Sequence, residues 1–99
     1  MKLVVVSDSH GKANILEEIV ERHPDAQAYL HCGDIEAPQE YYPEYTIVLG
    51  NNDIYYDYPE YRILNVGKHR IYMAHSHRFS YLHRGEQMAK TALENDCDI

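Results

Sequence analysis

Apolar residues in this chain gather into short blocks whose period changes along the sequence. After Lys2, residues Leu3 to Val6 form an aliphatic run without alternation, so Lys2 to Val6 is predicted as a strand covered on both faces. From Ala13 to His23 the apolar residues Ile15, Leu16, Ile19 and Val20 fall on one face of a helix. Pro24 ends that helix, because the residue before a proline is pushed out of helical geometry. Ala28 to His31 and Thr46 to Leu49 read as two more strands. This β-α-β opening predicts an α/β fold, a parallel sheet with helices packed on it.

The second half has a different pattern. Tyr61 to Val66 and His69 to Ala74 are strand-like runs separated only by Gly67-Lys68. A two-residue loop with glycine first suits a type II′ turn, so an antiparallel hairpin is predicted. Gly85 to Asn95 places Met88, Ala89, Ala92 and Leu93 at helical spacing. The chain then reads Asp96-Cys97-Asp98-Ile99, which resembles the approach to another strand. No linker or repeat divides the sequence, so the expectation is a single domain over 1–99 that is incomplete at its C-terminal end.

Composition narrows the classes of function. The 99 residues are 44% hydrophobic and 25% charged, as in ordinary globular domains. The formal net charge of −7 makes a nucleic-acid backbone or an anionic membrane a poor partner. Bound divalent cations would weaken that argument locally. Cys32 and Cys97 form no Cys-x-x-Cys pair, and the opening MKLVVV is too short for a signal-peptide core or a membrane span. A reduced, cytoplasmic setting is the expectation.

The chemistry lies at the ends of the strand-like blocks. LVVV runs into Ser7-Asp8-Ser9-His10-Gly11, AYLH into Cys32-Gly33-Asp34, TIVL into Gly50-Asn51-Asn52-Asp53, and IYMA into His75-Ser76-His77. In open α/β sheets the C-terminal strand ends share one edge, where ligands bind. Asp8, His10, Asp34, Asn51 and His75 are therefore expected to converge. Oxygen and imidazole donors without thiolate suit manganese, zinc, iron or nickel better than magnesium or calcium. Paired ions of this kind serve phosphoryl chemistry. Each piece alone is weak: Asp8 would also suit a helix N-cap, and Gly33-Asp34 an everyday turn.

Taken in order, D-S-H, G-D, G-N-N-D and a later strand-end histidine resemble the calcineurin-like metallophosphoesterases, most closely the small YfcE-like phosphodiesterases, along the whole of 1–99. The resemblance implies a four-layer αββα sandwich, here its N-terminal part. It also implies two divalent ions, manganese first, with zinc, nickel or iron as alternatives. Asp8, His10 and Asp34 would hold one ion, and Asp34, Asn51 and His75 the other. The implied activity is hydrolysis of a small phosphoester, with Asn52 and His77 at the reacting phosphate.

Three departures qualify this. Asn52 stands where many members have a proton-transferring histidine, and His75-Ser76-His77 replaces His-Gly-His. The family's G-H-x-H motif, which gives one more histidine to each ion, would follow on the next strand, just where the sequence ends at Ile99. Fewer ligands predict weak metal retention and little activity for these 99 residues. The same departures also fit a non-catalytic interaction scaffold on this fold, as in the retromer subunit that resembles the family.

Other residues carry weaker expectations. His31 is read as packing or as a group behind the site, and Asp53 as orienting the G-N turn. Cys32 is read as buried and inert, and His23, His69 and His83 as solvated. The tyrosines from Tyr41 to Tyr61 are expected to pack over the sheet edge, with a homo-oligomer surface or a stacking platform as alternatives.

Overall fold

Three short aliphatic blocks become the three strands of one sheet. The structure, a computed structural model, describes residues 1–75 and 82–99. Strands β1 (Leu3–Val6), β2 (Ala28–His31) and β3 (Tyr45–Ile47) pair in parallel in that order, with Val4 opposite Tyr29 and Leu30 opposite Thr46. Helix α1 (Ala13–Arg22) makes the crossover from β1 to β2, and a single 3-10 turn at Gln39–Tyr41 precedes β3. Strands β4 (Tyr61–Val66) and β5 (His69–Ala74) form a separate antiparallel hairpin. Val66 faces His69 across its two-residue loop, and Gly67 has φ +59°, as the first central position of a type II′ turn requires. Helix α2 (Arg84–Glu94) follows.

Alternation along β2 explains the layering. Tyr29 packs toward α1 with Leu16, Tyr45 and Ile47, whereas Leu30 packs toward the hairpin with Val48, Ile71 and Met73. The parallel sheet therefore lies between α1 and the hairpin. Leu16 is 1% exposed, and the Tyr45 hydroxyl donates to its carbonyl at 2.9 Å. This one side chain ties helix to sheet, and truncating it to alanine is a change of about 2–5 kcal/mol. No helix among the described residues is long and apolar enough to cross a membrane.

The structure departs from the predicted pattern in four places. β1 is not covered on both faces, because the hairpin reaches β2 but leaves Val5, on the edge strand, 60% exposed. β3 starts at Tyr45 and ends at Ile47; the Leu49 N–H turns away to Pro59 O at 2.7 Å, so the chain leaves β2 early. His69 is not merely solvated, since its Nδ1 donates to Asp98 at 2.7 Å. His23 instead closes α1, its N–H reaching Ile19 O and Val20 O, and its Nδ1 is buried without a hydrogen-bond partner among the described residues. The expected approach to a further strand takes shape at Ile99. Its N–H bonds Arg70 O at 3.3 Å and its carbonyl accepts from Tyr72 N–H at 2.8 Å, a parallel-type pairing beside β5.

Candidate metal centre

The loops leaving β1 and β2 run side by side. Asp8 N–H donates to Gly33 O at 2.9 Å, His10 N–H to Asp34 O at 3.0 Å, and Gly11 N–H to Ile35 O at 2.8 Å. These bonds are made at a conformational cost. Asp8, His10, Asp34 and Glu36 all have positive φ, between 48° and 61°. Such backbone costs about 1–3 kcal/mol per residue and gathers at sites where geometry matters more than stability. Asp8 does not cap α1, whose N-cap is Lys12 with no side-chain cap bond.

Close approach then brings in the third and fourth segments. A β-carbon on Gly33 would stand 2.8 Å from Gly50 Cα and from His75 Nδ1, and one on Gly50 would stand 2.2 Å from Asp34 Oδ1. Only glycine at both positions lets the loops after β2 and β3 meet beside His75.

The Asp53 carboxylate, fully buried, locks this arrangement. Its Oδ2 accepts from Asp34 N–H and Gly50 N–H, and its Oδ1 from Glu36 N–H, each at 2.8 Å. Asp53 thus orients the G-N turn as the sequence predicts, and reaches further, to the G-D loop.

Asp8, Asp34 and His75 each offer one ligand atom, and these atoms lie within 4.8 Å of one another. His75 Nδ1 donates to Cys32 O at 2.8 Å, so in the neutral ring the Nε2 lone pair points the other way. It faces Asn51 Oδ1 at 3.0 Å and Asp34 Oδ2 at 3.5 Å. An imidazole nitrogen, an amide oxygen and carboxylate oxygens directed at one space repel each other unless a proton or a metal ion lies among them. The donor set therefore fits a divalent metal ion. The His10 side chain approaches this cluster at Asp8, with its Nε2 3.8 Å from Asp8 Oδ1. His77 lies outside the described residues.

Asn52 holds Asp34 from the outer side. Its backbone N–H donates to Asp34 Oδ1 at 2.8 Å and its side-chain amide to Oδ2 at 3.0 Å. Burial pushes the Asp34 carboxyl up, but these donors, with His75 and Asp8 nearby, outweigh it and leave the group below the usual carboxylate range. His31, fully buried, lies behind the site between Ser9 Oγ at 2.9 Å and the Gly33 N–H at 3.2 Å, and burial pushes its pKa down, so the ring is neutral. The Cys32 thiol, half-buried, is pushed up by burial and stays protonated.

Sequence reasoning missed Glu36. Its carboxylate takes the Nδ1–H of His10, and this bond, partly opposed by desolvation, raises the His10 pKa. The only sign of it in the sequence is an acid two places after Asp34 in G-D-I-E.

Comparison with known proteins identifies the family. Residues 1–99 match the Calcineurin-like phosphoesterase superfamily domain, and the chain belongs to that family. It is 32% identical over 80 residues to a probable metallophosphoesterase, YsnB of Bacillus subtilis, covering 78% of this chain and 47% of that protein. A solved structure of a predicted phosphoesterase from Streptococcus pneumoniae superposes with a TM-score of 0.85 at 31% identity, over 96% of this chain and 56% of the other. The phosphoesterase YfcE of Escherichia coli shares the fold at a TM-score of 0.58 and 22% identity, over 83% and 61% of the two chains. The chain spans about half the length of the first two relatives.

Proposed function

We propose that this protein is a metal-dependent phosphoesterase acting on a small phosphodiester or phosphomonoester. In this reading Asp8, His10 and Asp34 hold one divalent ion, and Asp34, Asn51 and His75 a second, with manganese the first choice. The convergence of His75 Nε2, Asn51 Oδ1 and Asp34 Oδ2, with His75 Nδ1 held by Cys32 O, is the observation that most supports it. When bound, such ions supply Lewis-acid activation of water and neutralise charge on the phosphoryl group.

The chain's own residues prepare the ground for that chemistry. Asp53 and the two glycines fix where the Asp34 carboxylate stands, and Asn52 keeps it ionised and oriented. Asn52 has one further amide hydrogen for a phosphoryl oxygen but has no proton to transfer. Substrates whose leaving group needs little protonation, such as aryl phosphodiesters, are therefore favoured. His77 is proposed as a second contact to the phosphate.

The test is hydrolysis of bis(p-nitrophenyl) phosphate with added Mn²⁺. A slow, chelator-sensitive rate that Asp34→Ala removes is expected. No turnover with manganese, nickel, zinc or iron, or a rate indifferent to Asp34→Ala, contradicts the proposal.

A further inference from the structure

By distance alone, His31 and Ser9 could be a base and its nucleophile, since His31 Nε2 lies 2.9 Å from the Ser9 hydroxyl. The other ring nitrogen decides against that. Nδ1 is 3.2 Å from the Gly33 nitrogen, and a backbone N–H can only donate, so Nδ1 accepts and carries no proton. The hydrogen of the neutral ring is then on Nε2, which donates to Ser9 Oγ. An imidazole protonated at Nε2 cannot take the Ser9 proton. The ring is a strut, not a base.

Its place in the fold gives the strut a purpose. His31 is the last residue of β2, opposite Val6 of β1 and Ile47 of β3, and it is fully buried. The Tyr45 ring meets it edge-on, with centroids 6.4 Å apart. From there one nitrogen holds Ser9, which stands between Asp8 and His10, and the other holds Gly33, which precedes Asp34. An apolar side chain would serve packing at less cost, because a buried imidazole needs partners for both nitrogens. Both nitrogens are bonded here, and both bonds end next to residues of the metal centre.

We propose that His31, as its Nε2–H tautomer, is a positioning residue of the metal centre, holding the D-S-H and G-D loops so that Asp8, His10 and Asp34 face one ion. This rests on the metal-binding reading given under the proposed function. The backbone bonds from Asp8 to Gly33 and from His10 to Asp34 pair the two loops, and the ring anchors both loops from the buried side.

The two bonds can be removed separately. Asparagine places an amide oxygen near Nδ1 and glutamine an amide nitrogen near Nε2, so His31→Asn keeps the Gly33 acceptor and His31→Gln the Ser9 donor. His31→Leu keeps neither but fills the space. Mn²⁺ affinity, read from the electron paramagnetic resonance of the free ion, is expected to fall about tenfold in His31→Leu, the low end for a lost outer partner. His31→Asn and His31→Gln should lose less. Ser9→Ala, a small change at a half-buried residue, should match His31→Asn, because both lack the same bond.

A merely structural role would not give this order. Leucine suits a buried position best, so His31→Leu should have a urea midpoint at or above those of His31→Asn and His31→Gln while binding metal worst. In the metal-free wild type, long-range ¹H–¹⁵N correlation spectra should show His31 protonated at Nε2 and bare at Nδ1. A ring protonated at Nδ1 overturns the proposal. Normal Mn²⁺ binding by both the wild type and His31→Leu overturns this inference alone. A wild type that binds no Mn²⁺ overturns the metal-centre reading and this inference with it.

Discussion

Gly50 lies so close to Asp34 that a β-carbon on it would stand 2.2 Å from both the Asp34 backbone nitrogen and its Oδ1. The position of the central carboxylate therefore depends on the absence of a single methyl group at residue 50. Gly50→Ala is expected to cost about 1–3 kcal/mol of stability, as overpacking does, and to reduce Mn²⁺ affinity by displacing Asp34. Gly85→Ala is the control, because a β-carbon there meets nothing within 4 Å and α2 should gain about 0.5–1 kcal/mol. Urea denaturation of the two variants with calorimetric Mn²⁺ titration reads both effects. Equal stability of the two would refute the close-packing argument.

Asp53 gathers three backbone N–H groups from two loops. In Asp53→Asn one oxygen becomes an amide donor, so at least one buried N–H loses its acceptor, at about 1–3 kcal/mol. Because the lost bonds hold Asp34 and Glu36, metal affinity should fall along with stability. An unchanged urea midpoint would show that the loops are held by something else.

Glu36 is predicted to act on metal binding through His10. Carboxylates that fix a ligating histidine are typically worth about 10–100-fold in metal affinity. Glu36→Gln, which can still accept from the His10 ring, should lose least, and Glu36→Ala should fall into that range. Calorimetry with Mn²⁺ checks this, and an Ala variant with wild-type affinity would remove Glu36 from the site.

Tyr45 and Tyr58 are pushed up to about 12 by burial, and both hydroxyls donate to backbone carbonyls. In the unfolded chain they ionise near 10. Between these values the native state holds protons that the unfolded state has released, so stability is full below about pH 10 and declines as the pH rises toward 12. An absorbance titration of the native protein should show two of its ten tyrosines ionising last, with the delay gone in urea. Simultaneous ionisation of all ten in the native protein would contradict the burial of these two.

The fold and the site were legible in the sequence to different depths, for physical reasons. Strand positions followed from continuous aliphatic blocks, since a buried strand needs apolar side chains on both faces. β1 misled because its run of valines does not reveal that the hairpin stops short of Val5. The convergence of Asp8, Asp34 and His75 was visible because strand ends share one edge in an α/β sheet. Glu36 was not, because its reach to His10 depends on a positive φ of 53° that no residue type announces. His69 likewise found its acid, Asp98, 29 positions away, a pairing set by how the C-terminal segment lies against β5.

Crystals of the protein grown at saturating Mn²⁺, with data collected to locate manganese by anomalous scattering, test the central claim most directly. The account predicts a peak at bonding distance from Asp8, Asp34 and His75 Nε2, lost in Asp34→Ala. Manganese bound only elsewhere, or none at these three side chains, would contradict it.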